Sequence, residues 1–148
     1  MLIPELLSRG KVWYNVPGKN PGEFIAAFVS CLRLPAGIRN EDLAQACVRR
    51  EAASPTAMGK GIAFPHPGEP VAASPDDAFV ALAYPRFPVE WRAPDDAPVK
   101  AVFLIVSASR NDHLTTLSAL AKLCGKDAFH EALLRGAPLE ELIALIRA

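Results

Sequence analysis

The chain has 148 residues, room for one domain and hardly for two, and its 51% hydrophobic and 22% charged residues can fill a core, which excludes wholesale disorder. Sixteen basic residues balance sixteen acidic ones, so the positive field that draws proteins onto nucleic acid is missing. The longest apolar run, Ala101 to Val106, has the length of a buried strand and falls far short of the roughly 20 residues of a membrane helix. The start, Met1-Leu2-Ile3-Pro4-Glu5, lacks the basic and apolar stretches of a secretion signal. Cys31, Cys47 and Cys124 are odd in number, far apart and without a C-x-x-C pair, so they read as reduced thiols on apolar helix faces. These features predict a cytoplasmic domain that does not insert into a membrane.

Fourteen prolines cut the chain into short elements. Asn20-Pro21-Gly22-Glu23 is a helix start, with Asn20 to cap, proline at the first helical position and an acid where a capping box needs one. Phe24, Ile25, Phe28, Val29 and Leu32 follow at helical spacing. Asn40 is expected to cap a second helix, in which Leu43, Cys47 and Arg50 share one stripe. Arg50 then sits at the C-terminal end among apolar neighbours and has to find water or an anion, while Arg49 points into solvent. Residues 52–61 read as a loop, followed by a short strand from Gly61 to Phe64. Phe79 to Ala83 and Ala101 to Val106 read as strands, joined by a proline-rich connection that contains Trp91. From Leu114 onward the pattern is helical, in three stripes: Leu114, Leu117, Leu120 and Ala121; Phe129, Leu133 and Leu134; Leu139, Leu142, Ile143 and Ile146. Interleaved helices and strands predict an α/β fold: a three-layer α/β/α domain with a small mixed sheet flanked by helices, in a single unit over residues 1–148.

The three histidines stand in different settings. His66 lies in Phe64-Pro65-His66-Pro67, where both Phe64 and His66 precede a proline and are pushed toward extended backbone. It is either a histidine in a proline-rich surface loop or a stiffly held functional side chain. His113 follows an apolar strand and a polar loop, and opens a helix whose first N–H groups favour an anion. Alternatively it merely begins that helix, with Asn111 or Asp112 as the cap. His130 reads as an ordinary exposed helix position. No H-E-x-x-H, paired Cys/His spacing, G-x-S-x-G elbow or Walker loop occurs, so a metal site is not indicated and a histidine is the best-placed nucleophile.

The stretch from Arg50 to His66 resembles the signature of phosphotransferase-system EIIA domains of the fructose, mannitol and nitrogen-regulatory class. Their pattern, R-E-x-x-G-S-T-x-I-G-x-G-I-A-I-P-H, is met without a gap at Arg50, Glu51, Thr56, Gly59, Gly61, Ile62, Ala63, Pro65 and His66. The segments Val89 to Val99, Val102 to Ile105 and His113 to Ala121 extend the resemblance over nearly the whole chain. Two departures are Ser54-Pro55 in place of Gly-Ser, and Pro67, which withholds a backbone N–H beside the histidine.

The resemblance implies a phosphocarrier. His66 would accept a phosphoryl group from phosphohistidine on the carrier HPr or its nitrogen-branch relative, then pass it to an EIIB partner or hold it as a regulatory mark. Arg50 would neutralise phosphoryl oxygens, His113 would add an N–H donor or a positive charge to the same oxygens, Thr56 would donate a hydroxyl or stabilise a turn, and no cofactor is implied. A free-standing nitrogen-regulatory type is slightly favoured over a sugar-specific subunit. Pro67 and the Ser54-Pro55 loop motivate another reading, an EIIA-fold regulatory module that no longer transfers phosphate. Met58 and Phe64 are either core residues or part of a docking patch.

Overall fold

A computed structural model describes residues 2–148. Its elements, in chain order, are α1 (Ile3–Gly10), β1 (Val12–Val16), α2 (Pro21–Cys31), α3 (Asn40–Ala53), β2 (Ala57–Gly59), β3 (Ile62–Ala63), β4 (Phe79–Pro85), β5 (Ala101–Val106), α4 (Arg110–Cys124), α5 (Asp127–Leu134) and α6 (Leu139–Arg147). The strands form one mixed sheet in the order β1-β4-β5-β3-β2. β1 runs parallel to β4 and β3 parallel to β5, while the β4–β5 and β2–β3 pairs are antiparallel.

Alternation along β4 and β5 divides the core in two. Phe79, Ala81 and Ala83 with Val102, Leu104 and Val106 face α2 and α3, meeting Phe24, Phe28, Leu43 and Cys47. Val80, Leu82 and Tyr84 with Ala101, Phe103 and Ile105 face the other helices, meeting Leu7, Leu120, Phe129 and Leu142. Every residue of β5 is buried, as expected for a central strand covered on both faces. Helices on both faces of a mixed sheet are the α/β architecture that the sequence predicted. Among the described residues, no helix is long and apolar enough to cross a membrane.

Several local expectations change. α1 and β1 were not foreseen; proline at the first helical turn and buried Ile3, Leu6 and Leu7 bind α1 to the sheet. The predicted loop over 52–61 contains β2 and the hairpin turn Gly59-Lys60-Gly61. All three turn residues have positive φ, which the glycines adopt without strain. The strand expected from Gly61 to Phe64 is confined to Ile62–Ala63.

Asn20 does cap α2, its Oδ1 accepting the Glu23 N–H at 2.9 Å. Asn40, however, is the first residue of α3, and Arg39 holds the cap position. The Asn40 side-chain amide instead donates to the carbonyls of Val29 and Leu32 at 2.9 and 3.0 Å, closing the C-terminal end of α2. Cys31 is exposed, whereas Cys47 and Cys124 are buried, and burial pushes both of those thiols up to about 12. Leu114 and Leu134, expected in apolar stripes, are exposed, and so is Met58, whereas Phe64 is a core residue stacked on Phe103 with ring centroids 5.7 Å apart.

Gly10 is where α1 meets the sheet. A Cβ added there would lie 2.1 Å from the Val80 carbonyl oxygen, and backbone in the middle of a strand cannot yield. Gly10→Ala is therefore expected to destabilise the chain by about 3 kcal/mol, the upper part of the overpacking range. A urea unfolding curve reads this as a lowered midpoint with an unchanged slope.

Candidate functional site

The parallel pairing of β3 with β5 sets the C-terminal ends of these strands side by side. The pairing runs one step past β3, where the Ile105 N–H donates to the Pro65 carbonyl at 3.1 Å. His66 follows, flanked by Pro65 and Pro67, so its backbone leaves the sheet extended. Beyond β5, Ser109 caps α4, its hydroxyl oxygen accepting the Asp112 N–H at 3.0 Å. The helix thus starts at Arg110, four residues before the expected Leu114, and the cap is neither Asn111 nor Asp112. His113 stands in the first turn with its own N–H bonded to the Ser109 carbonyl. The imidazoles of His66 and His113 meet with centroids 4.3 Å apart and planes inclined by 46°.

The tautomer of His66 follows from its bond to the main chain. Nδ1 lies 2.8 Å from the Phe64 carbonyl oxygen. A carbonyl only accepts, so Nδ1 carries the proton and Nε2 keeps its lone pair. Burial lowers the pKa of His66; the Arg50 charge adds to this, against the opposing pull of the Phe64 carbonyl and of Glu51. His113 is lowered to about 4, first by burial and then by His66 and Arg50. Near pH 7 both rings are neutral.

Arg50 lies in the last turn of α3, half-buried, as its stripe predicted, and Arg49 is exposed. Its Nη1 donates to the Ser54 carbonyl at 2.8 Å, so its first partner is a main-chain oxygen at the helix end. Its charge still reaches both imidazoles. Thr56 is buried and engaged by Glu51: the Thr56 N–H and hydroxyl each donate to one carboxylate oxygen at 2.6 Å. From there a chain of bonds leads to the histidine. The Thr56 carbonyl accepts the Phe64 N–H at 3.2 Å, and the Phe64 carbonyl accepts Nδ1–H of His66.

His66 and His113 open onto a cleft of about 200 Å³ that Pro67, Glu69, Ser107, Arg110 and Leu114 also line. Arg110 donates to Glu69 there at 2.6 Å. Among the described residues, no group of three or more His, Cys, Asp or Glu side chains could hold a metal ion. Two neutral imidazoles, a guanidinium and the first turn of a helix suit an anion instead. Glu51, Glu69 and Arg110 were not singled out for roles by sequence reasoning. Glu51 was visible only as a motif match, and Arg110 becomes visible once Ser109-x-x-Asp112 is read as the helix start. His130 has a structural task, its Nε2 lying 2.8 Å from the Lys60 carbonyl in the hairpin turn.

Titration provides a check with a definite sign. A histidine whose folded pKa is depressed leaves the unfolded chain to bind protons first as pH falls, so stability drops from about pH 6.5 down to about 4. Urea midpoints should decline over that window and decline less in His113→Asn. Nitrogen-15 spectra of the imidazoles should show His66 protonated on Nδ1 alone at pH 7. Glu51→Ala should mix the two tautomers, whereas Glu51→Gln, which can still bond Thr56, should preserve one.

The family model described as "Phosphoenolpyruvate-dependent sugar phosphotransferase system, EIIA 2" matches residues 5–148. A fructose-specific EIIABC component from Bacillus subtilis is 30% identical over 99% of this chain, which spans 23% of that longer protein. A fructose-specific EIIA component from Haloferax volcanii is 33% identical over 72% of this chain and 70% of its own length. Among solved structures, the nitrogen regulatory protein IIA-Ntr from Neisseria meningitidis superposes with a TM-score of 0.83 at 24% identity, covering 99% of each chain. The complex of mannitol enzyme IIA with phosphorylated enzyme IIB from Escherichia coli matches with a TM-score of 0.69 at 19% identity, over 93% of this chain and 94% of that one. The structural likenesses establish the fold, and the family match over nearly all residues establishes kinship: the chain belongs to the EIIA 2 family of the phosphoenolpyruvate-dependent sugar phosphotransferase system, a family of phosphotransfer proteins.

Proposed function

We propose that this chain is a phosphoryl carrier in which Nε2 of His66 takes the group from phosphohistidine on an HPr-like donor and delivers it to an EIIB partner. The observation that supports this most directly is the bond from Nδ1–H of His66 to the Phe64 carbonyl, which leaves Nε2 as a free nucleophile in an anion-suited cleft. In the transfer, the Nε2 lone pair attacks phosphorus and the donor's N–P bond breaks. The electron pair of that bond returns to the donor imidazole. The phosphorylated ring of His66 becomes cationic while Nδ1 keeps its proton, and the Phe64 carbonyl stabilises the charge. In delivery a nucleophile of the acceptor attacks phosphorus, the Nε2–P bond breaks, and its electron pair returns to the ring of His66, which is left neutral with Nδ1 still protonated.

The transition state is loose, with charge spread over three oxygens, so catalysis reduces to positioning and neutralisation. We assign neutralisation to Arg50 and hydrogen bonding to His113, whose neutral ring avoids competing with Arg50 for its partner. Thr56 is given a positioning role, because its hydroxyl proton is already bonded to Glu51. An EIIB of the fructose class is the proposed acceptor, since the relatives at 30% and 33% identity carry that name. The nitrogen-regulatory alternative rests on a likeness of fold. Pro67, buried in the cleft without an N–H to offer, favours a second reading, a binding module that keeps the fold and not the transfer.

Incubation with phosphoenolpyruvate, enzyme I and HPr, followed by intact mass, separates these readings. One acid-labile phosphoryl increment is expected on the wild type and none on His66→Ala. Arg50→Gln and His113→Gln should slow uptake by about a hundredfold, the cost of losing one preorganised donor. Discharge on adding a fructose-class EIIB supports the proposed acceptor, and retention points to the regulatory type. No increment, with HPr itself phosphorylated, overturns the carrier reading in favour of the binding module.

A further inference from the structure

The rim of the cleft carries an ion pair that transfer itself does not require. Arg110 is the first residue of α4 and His113 lies three residues on, so the two side chains share one face of the helix. His113 touches His66, and Arg110 lines the same cleft. Across the cleft, Glu69 sits on the segment after His66, where Pro67 and Pro70 stiffen the backbone. Nη2 of Arg110 meets Oε1 of Glu69 at 2.6 Å, with side chains 76% and 71% exposed.

That exposure decides how firmly the pair is held. An ion pair in water contributes little because solvent screens it and two long side chains lose freedom in making it. A phosphoryl group on Nε2 of His66 would bring two negative charges and three strong acceptors into this cleft. Guanidinium binds such oxygens through two parallel N–H donors, a stronger arrangement than the single contact with Glu69. The carboxylate would then face the phosphoryl group without its counter-charge and be repelled.

From this we propose, resting on the carrier reading above, that Arg110 is a further phosphoryl-binding residue and that Glu69 competes for it. Before transfer Arg110 is held by Glu69; on phosphorylation it turns to the phosphoryl oxygens and releases the Glu69 side chain. Glu69 thereby sets how strongly the chain retains the group, and its freed carboxylate distinguishes the two states at the rim of the cleft. Arg50 and Arg110 divide the task. Arg50 belongs to the half-buried wall on α3, bonded to main chain, whereas Arg110 is exposed and free to exchange partners.

The test measures the equilibrium constant for phosphoryl exchange between HPr and this chain. Arg110→Gln is expected to lower it about tenfold, the scale of a hydrogen bond between charged groups. Glu69→Gln should raise it about threefold, the scale of an exposed ion pair. In an Arg110→Gln background, Glu69→Gln should raise it distinctly less, since the competition is gone. Arg110→Lys should recover part of the loss, because it keeps the charge and gives up the paired donors. Equal constants for wild type and Arg110→Gln overturn the proposal while leaving the carrier reading intact, and so does a Glu69→Gln effect of the same size in both backgrounds. Absence of phosphorylation in the wild type fails the carrier reading, and this proposal with it.

Discussion

Everything at this site depends on one hydrogen bond, from Nδ1 of His66 to the carbonyl of Phe64. It fixes the tautomer, and with it the atom that can act as a nucleophile. The bond is short in sequence but is held by long-range structure. The Phe64 carbonyl points where it does because its own N–H is bound to Thr56, because Pro65 accepts from Ile105, and because the Phe64 ring stacks on Phe103 in the core. Two prolines around His66 remove the helical conformations in which the ring could swing away. The sheet, the hairpin and the carboxylate of Glu51 thus converge on the direction of one carbonyl.

A second constraint is electrostatic. Two imidazoles at 4.3 Å cannot both be charged cheaply, and with Arg50 nearby neither is charged near neutral pH. On the proposed carrier function, a site that accepts a dianion holds its histidines as neutral groups and confines fixed positive charge to arginines, which do not titrate. On that proposal His66 needs no deprotonation before it attacks. Behind His66, Thr56 and Glu51 satisfy one another, so the polar groups that support its main chain are not left unpaired.

What the amino-acid order made legible follows the range of the forces involved. The β4 and β5 strands and the α2 start were readable because apolar runs and an Asn-Pro cap act locally. Arg50 was placed correctly from its stripe, and the pairing of His66 with His113 followed from family resemblance. The start of α4 was missed because Asn111, Asp112 and His113 look like loop residues until Ser109 is recognised as the cap. Asn40 looked like an N-cap of its own helix, yet its amide closes the end of the preceding one, a choice that only the packing of α2 on α3 makes. Neither Glu51 nor Glu69 could be given a partner from sequence, since spacing alone does not say which acid meets buried Thr56 and which meets an arginine across a cleft.

The difference between those two acids shows how the fold distributes permanence. Glu51 bonds a buried threonine through both carboxylate oxygens, and breaking that contact would strand polar groups away from water, so the arrangement is fixed. Glu69 and Arg110 face solvent, which replaces either partner at little cost, so theirs is exchangeable. Both acids bear on His66, Glu51 through the main chain of Thr56 and Phe64 and Glu69 from the rim of the cleft. Glu51, half-buried and tied to buried Thr56, can act only by holding His66 in place through main chain, whereas exposed Glu69 can respond to a change in charge at Nε2. A phosphoryl carrier needs both behaviours, since the nucleophile must not move while the surface must differ between loaded and empty states. Burial decides which of two otherwise equivalent carboxylates performs which task.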